Sequence, residues 1–172
     1  QAPNIQTAIN DIVQHYEIEH PENSVPALVN VYKLIATLPN SLWRNYKLTE
    51  LQSIIKDAAG IYIEASTQQQ EVFPGTALQV QIFLNQRSNA SSVLEKGTLP
   101  GKDSIFGKTL VNNQNLSWDY SFKVSNTQAI SQPYWLVQAK TEGMFVVNDQ
   151  MLIGKAENDP VFTATCNVLI EG

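Results

Sequence analysis

The apolar positions of this chain change their period once, at Gly60. Upstream of it they recur every three or four residues, the spacing of one helix face. Ile5, Ala8, Ile12 and Tyr16 predict a first helix that ends near His20-Pro21. Ser24 is placed to cap a second helix, Pro26 lies in its first turn where a missing N–H costs little, and Leu28, Val31, Ile35 and Leu38 form its stripe. Pro39-Asn40 stops that helix. After a turn through Trp43, Thr49 is expected to cap a third helix with Leu51, Ile54, Ile55 and Ala58 on its apolar face, and Gly60 supplies the left-handed residue that ends it. Helices this short do not hold their shape alone, so they must dock on each other and on the remainder of the chain.

Downstream of Gly60 the period is two. Ile61, Ile63 and Ala65 alternate with Tyr62 and Glu64, and a polar run from Ser66 to Glu71 leads to a Pro74-Gly75 turn. Leu78, Val80, Ile82 and Leu84 alternate with Gln79, Gln81, Phe83 and Asn85 in the cleanest half-buried strand of the chain. Ser92 to Leu99 and Ile105 to Val111 predict two more strands, separated by Pro100-Gly101 and closed by Asn112-Asn113. Leu116, Trp118, Tyr120, Phe122 and Val124 form an aromatic-rich inner face. Phe162, Ala164, Cys166, Val168 and Ile170 close the chain and put Cys166 on the buried side. Burying these five side chains contributes on the order of 8 kcal/mol before entropy opposes it.

Between the last two strands lies Ser131 to Pro160, a strand-loop-strand passage in which Pro133 interrupts ladder pairing and Gly143 and Gly154 allow turns. The expected fold is therefore α+β by content. A helical segment over residues 1–59 packs on an antiparallel, immunoglobulin-like β-sandwich over residues 60–172, as one unit because Ala59-Gly60 has no linker character.

Composition narrows the function. Eleven basic against sixteen acidic residues give a net charge of -5. No Lys or Arg cluster offers a track for phosphates, which argues against nucleic acid as a partner. No apolar run approaches the roughly 18 residues of a membrane span. The single cysteine excludes an intramolecular disulfide. Charged residues are only 16% while Asn, Gln, Ser and Thr abound, which reads as the surface of an exported, periplasmic or cell-surface bacterial protein whose targeting signal lies upstream of Gln1 or has been removed.

Candidate chemistry is sparse. His15 and His20 in HYEIEH are five residues apart, a rotation of about 500° that separates them on a helix, so they do not read as a metal pair. No G-x-S-x-G motif and no Gly-rich phosphate loop occurs. Glu64, Asp119 and Glu142 are carboxylates without an evident partner and read as solvated outward residues. Asn89-Ala-Ser and Asn115-Leu-Ser fall at expected turns. No catalytic, cofactor-binding or metal-binding residue is assigned. Trp118 and Tyr120 read as sandwich core. Tyr134 and Trp135, adjacent and thus on opposite faces if extended, leave one ring for a ligand or for another domain.

The string Ser131-Gln-Pro-Tyr-Trp-Leu136, followed by Glu142-Gly-Met-Phe145, Leu152-Ile-Gly154 and Glu157-Asn-Asp-Pro160, resembles the region downstream of the catalytic domain in long PIG-L family (LmbE-like) deacetylases of Bacteroidetes-type bacteria. Gly60-Ile-Tyr-Ile-Glu-Ala65 with Pro74-Gly75, Leu84-Asn-Gln-Arg-Ser88, and the helical part from Pro21 to Leu38 are similar to the same region. The resemblance implies zinc-dependent hydrolysis of an N-acetyl group from an N-acetylglucosamine-type substrate, in an α/β domain with a His-Pro-Asp-Asp-Glu motif and a later His pair. This sequence contains neither motif, so the resemblance transfers no zinc ligand and no cofactor to it. It implies a non-catalytic accessory segment whose partners are the catalytic domain of the same polypeptide and a glycan. The alternative is an independent carbohydrate- or protein-binding sandwich.

Overall fold

A computed structural model describes residues 2–172. Three helices come first, α1 (Ala2–Gln14), α2 (Val25–Ala36) and α3 (Leu42–Ala58). Six strands come after them, β1 (Ile61–Ser66), β2 (Ala77–Gln86), β3 (Ser92–Leu99), β4 (Lys102–Thr109), β5 (Asn115–Lys123) and β6 (Thr165–Ile170). They make two three-stranded antiparallel sheets, ordered β1-β2-β5 and β4-β3-β6. Leu84 of β2 and Leu94 of β3 are fully buried in one cluster, and Phe106, Leu116, Trp118, Cys166 and Val168 complete that core from both sheets. The arrangement is α+β and sandwich-like. Among the described residues no helix is long and apolar enough to cross a membrane.

The helices differ from the periodicity at their ends. α1 stops at Gln14, and the backbone carbonyl of Asp11 accepts from His15 N–H at 3.1 Å as the last helical bond. Tyr16 and Ile18 are exposed, so extending the helix would bury nothing, and His20 sits in a non-helical conformation ahead of Pro21. Ser24 does immediately precede α2, but a 3-10 turn over Pro21–Ser24 holds it in helical geometry, and its hydroxyl donates to Pro21 O at 2.6 Å instead of capping. α3 begins at Leu42, not after Thr49. Ser41 is its cap, accepting from Arg44 N–H at 3.2 Å, while Thr49 sits inside the helix and donates to Asn45 O. Polar contacts hold the early turns, notably Arg44 to Ala36 O at 2.7 Å. Leu42, Trp43 and Tyr46 stay exposed there, so no apolar stripe announces those turns.

In the sheets, β3 matches its expected bounds and β2 extends one residue beyond them at each end. β4 starts three residues earlier than expected because Leu99 pairs with Lys102 directly across the Pro100-Gly101 turn. That register sends Ile105 outward, 88% exposed. Asn115 opens β5 and is not in a turn. β6 begins at Thr165, although Phe162 before it already packs edge-on against Phe122 at 5.2 Å. Cys166 is half-buried on the inward side.

The stretch from Ser131 to Pro160 joins β5 to β6, but it is not a strand-loop-strand passage. Among the described residues it holds two 3-10 turns, Tyr134–Leu136 and Gln150–Leu152, and one isolated bridge between Thr141 and Met144. Local polar bonds shape it. Asn158 accepts from Tyr134 N–H at 3.0 Å and donates to Gln132 O, and Tyr134 OH donates to Lys155 O at 3.1 Å.

A second cluster packs the helices against the sheets. Val25, Leu28, Val29, Val31, Leu51 and Ile55 of the helices are buried together with Ala59 and Ile61, with Val168 and Ile170 of β6 packed against them. Gly60 turns the chain at φ +66°, and its carbonyl accepts from Arg87 N–H at 2.9 Å. Ser88, itself buried, donates to Ala59 O at 2.7 Å and accepts from Ala90 N–H. The buried Gln86 amide donates to Ser88 O and Ala90 O. This polar knot satisfies the carbonyls of Ala59 and Gly60 just past α3, and without Ser88 the Ala59 carbonyl would be buried with no partner.

Candidate functional site

The inward residues of β2 leave its other face to Gln79, Gln81, Phe83 and Asn85. The register then aligns Glu64 and Ser66 of β1 on one side and Ser117, Asp119 and Ser121 of β5 on the other. This outer face of the first sheet carries a groove of about 680 Å³ lined by Ser66, Thr67, Gln69, Gln79, Gln81, Asp119 and Ser121.

β1 ends at Ser66, opposite Gln81, so β2 continues past it as a free edge. Gln69 substitutes for the missing strand. Its side-chain oxygen accepts from Gln79 N–H at 2.7 Å and its side-chain nitrogen donates to Ala77 O at 3.1 Å. One amide side chain therefore imitates a peptide unit, fixes the Ser66–Gln70 loop and forms one wall of the groove. On the floor Gln81 donates to the Asp119 carboxylate at 3.2 Å. Outside the groove on the same face of the sheet, Tyr62 and Phe83 stand edge to face, 6.1 Å between ring centres. The Tyr62 hydroxyl donates to Glu64 at 2.9 Å, and that bond holds the phenol above its ordinary pKa.

The groove's chemistry is amide and hydroxyl with a single carboxylate and no cation. It suits a neutral ligand rich in hydroxyls and amides, and its negative charge opposes phosphates. Glu64 and Asp119 are two strands and two residues apart on the same face, about 12 Å between their Cα atoms at ordinary sheet spacing. Glu142 lies in the turn between Thr141 and Met144, on the β5–β6 connection.

Tyr134 and Trp135 are placed differently from an extended pair. The 3-10 turn brings their rings together edge to face, 4.8 Å between centres, and each is half-buried, so neither is the fully exposed ring that an extended backbone would give. With Phe145, Val147 and Ile153 they surround a shallow apolar depression of about 320 Å³. Trp118 packs inward on Phe106 at 4.9 Å, and Tyr120 OH donates to Pro100 O at 3.2 Å. His15 contacts Asp11 at 3.2 Å and His20 contacts Glu22 at 3.5 Å, each within its own turn. Among the described residues no three His, Cys, Asp or Glu side chains converge on one point.

Sequence reasoning missed the groove. The available signal was the outward half of β2, where Gln79 and Gln81 alternate as regularly as the leucines, together with the glutamine run Gln68–Gln70. No protein-family model and no curated protein matches this chain.

Proposed function

We propose that this chain is a non-catalytic accessory module that holds a neutral glycan on the outer face of its first sheet, appended to a PIG-L family (LmbE-like) zinc-dependent N-acetylglucosamine-type deacetylase. The observation that carries the glycan part is the groove built from Gln69, Gln79, Gln81, Asp119 and Ser121. Its donors and acceptors match sugar hydroxyls and N-acetyl groups, and the Tyr62–Phe83 pair beside it offers a ring face to a sugar. The enzyme part is supported by the likeness of Ser131 to Pro160 to the segment downstream of the catalytic domain in those deacetylases. In that setting zinc belongs to the catalytic domain, and this chain supplies no ligand to it.

The apolar depression at Tyr134 and Trp135 then serves as the contact with the catalytic domain of the same polypeptide. Exposed Met144, Phe145, Met151 and Ile153 extend it, a surface suited to protein rather than to sugar. The sandwich itself reads as immunoglobulin-like. Its orders β1-β2-β5 and β4-β3-β6 correspond to the A-B-E and C′-C-F strands of that fold. An independent glycan-binding sandwich uses the same groove and needs no enzyme.

Two experiments test the reading. Calorimetric titration with a neutral N-acetylglucosamine oligosaccharide should show binding that Gln81→Ala weakens. Sequencing the coding region upstream of the Gln1 codon should find a zinc-hydrolase domain. Absence of binding removes the glycan role, and absence of that domain removes the deacetylase while leaving the independent module.

A further inference from the structure

β1 and β6 are the open edges on one side of the sandwich, and an apolar groove of about 490 Å³ runs between them. Ile61 and Ile63 line one wall, Cys166, Val168 and Ile170 the other, and Val29 and Ile55 of the helices close the end. Ile63 is left 38% exposed although it points inward with Ile61.

Both edges present unpaired backbone to this groove. Arg87 N–H donates to Gly60 O, so Tyr62 and Glu64 spend their backbone groups on β2 while Ile61, Ile63 and Ala65 direct theirs to the open side. Glu171 N–H donates to Ser91 O, which in the same way leaves Val168 and Ile170 facing outward. An extended chain satisfies such edges, whereas a helix leaves them unmade. The rim has a sign as well. Lys33 and Lys56 line the groove and no acidic side chain does, in a chain of net charge -5. Lys56 has its neighbour Asp57 at 3.3 Å, both exposed.

We infer that the groove receives a seventh β-strand from outside residues 1–172. It is an extended segment of about six residues, the length of β6, with apolar side chains at alternate positions and a carboxylate at the end that meets Lys33 and Lys56, pairing along β6. In the immunoglobulin-like reading of the sheets this is the position of the last strand beside β6, and the inference rests on that reading for the choice of β6 over β1. The edges and the groove are independent of the glycan site.

The test uses the only cysteine as its reporter. Cys166 lines the groove, so an occupant shields it from a maleimide. The probe is a synthetic peptide of about ten residues that alternates Val and Thr and ends in Glu at both sides. Its counterparts are a Lys-ended version and a helix-forming peptide of similar composition. The Glu-ended strand should slow Cys166 labelling at least about tenfold, and Lys33→Glu with Lys56→Glu, two exposed positions, should abolish most of that protection. Amide exchange should then slow at Val168 and Ile170. Overturning results are no protection by the strand peptide, equal protection by the Lys-ended or helical peptide, or slowing at Ile61 and Ile63 alone. Protection that rises with protein concentration in the absence of peptide also overturns it, because the occupant is then a second copy. Glycan binding measured on the same samples keeps a failure here separate from a failure of the glycan site.

Discussion

The hydroxyl of Ser88 donates to the carbonyl of Ala59 at 2.7 Å, across 29 residues of sequence and with both residues buried. This bond joins the last turn of the helical segment to the turn between β2 and β3. Ser88→Ala leaves that carbonyl without a partner, and the loss of a buried bond of this kind costs about 1–3 kcal/mol. Chemical denaturation should show that loss in one transition, since one buried cluster packs the helices against the sheets. Two separated transitions would instead mark the helices as an independent unit.

Gly60 is the second half of the same junction. It adopts φ +66°, and a Cβ placed there would meet the Arg87 backbone at 3.1–3.2 Å. Gly60→Ala combines left-handed strain with a backbone clash that no side-chain rotation relieves, so the expected loss is about 2 kcal/mol, more than a substitution at an open turn. Gly101→Ala is the comparison, because it shares the left-handed conformation but has nothing within 4 Å. Equal losses at the two sites would remove the close approach as the cause.

Cys166 gives a pH dependence with a definite sign. Burial pushes its thiol above the ordinary value of 9.0 because the thiolate is disfavoured in the apolar groove. The neutral thiol is the folded form, so its contribution is fully present below pH about 9 and is lost as pH rises through the higher folded value. Melting temperature should fall above pH about 9 in the native chain, and Cys166→Ala should flatten that part of the profile relative to native. Cys166→Asp places a charge in the same position and should destabilise strongly at neutral pH. An unchanged melting temperature in Cys166→Asp would count against the placement of β6.

Strand content was largely legible because each strand buries one face, and alternation reports that directly. β2, β3 and the inner face of β5 are read from Leu78 to Leu84, Ser92 to Leu99 and Leu116 to Val124. Where burial did not select residues the pattern went silent. The first turns of α3 rest on Ser41 and Arg44 while Trp43 and Tyr46 face solvent, and β4 takes its register from the Pro100-Gly101 turn rather than from Ile105. The connection through Tyr134 and Trp135 departs from the expected strand-loop-strand passage, because these rings sit on a local 3-10 turn and enclose a shallow depression instead of pairing along a strand. The groove was hidden for the opposite reason. Glutamines on the outward face of a strand look like ordinary solubility until Gln69 folds back onto Gln79 and gives the face a wall.

That wall yields its own prediction. Gln69→Ala removes the side chain that mimics a strand at Ala77 and Gln79, loosening the Ser66–Gln70 loop. Amide exchange at Gln79 should accelerate while that at Ile82, between β1 and β5, stays slow. Glycan affinity should fall by about tenfold with little change in global stability. A large global loss would place Gln69 in the core framework instead.

Under the proposed function a neutral glycan sits on the outer face of the first sheet and not in the Tyr134–Trp135 depression. Calorimetric titration of a neutral N-acetylglucosamine oligosaccharide into the native chain, Gln81→Ala with Asp119→Ala, and Trp135→Ala separates the two places. Affinity should fall by at least about tenfold in the groove variant, near 1.4 kcal/mol, and remain native in Trp135→Ala. Native affinity in the groove variant, or loss of binding in Trp135→Ala alone, would overturn the assignment of the glycan to this face.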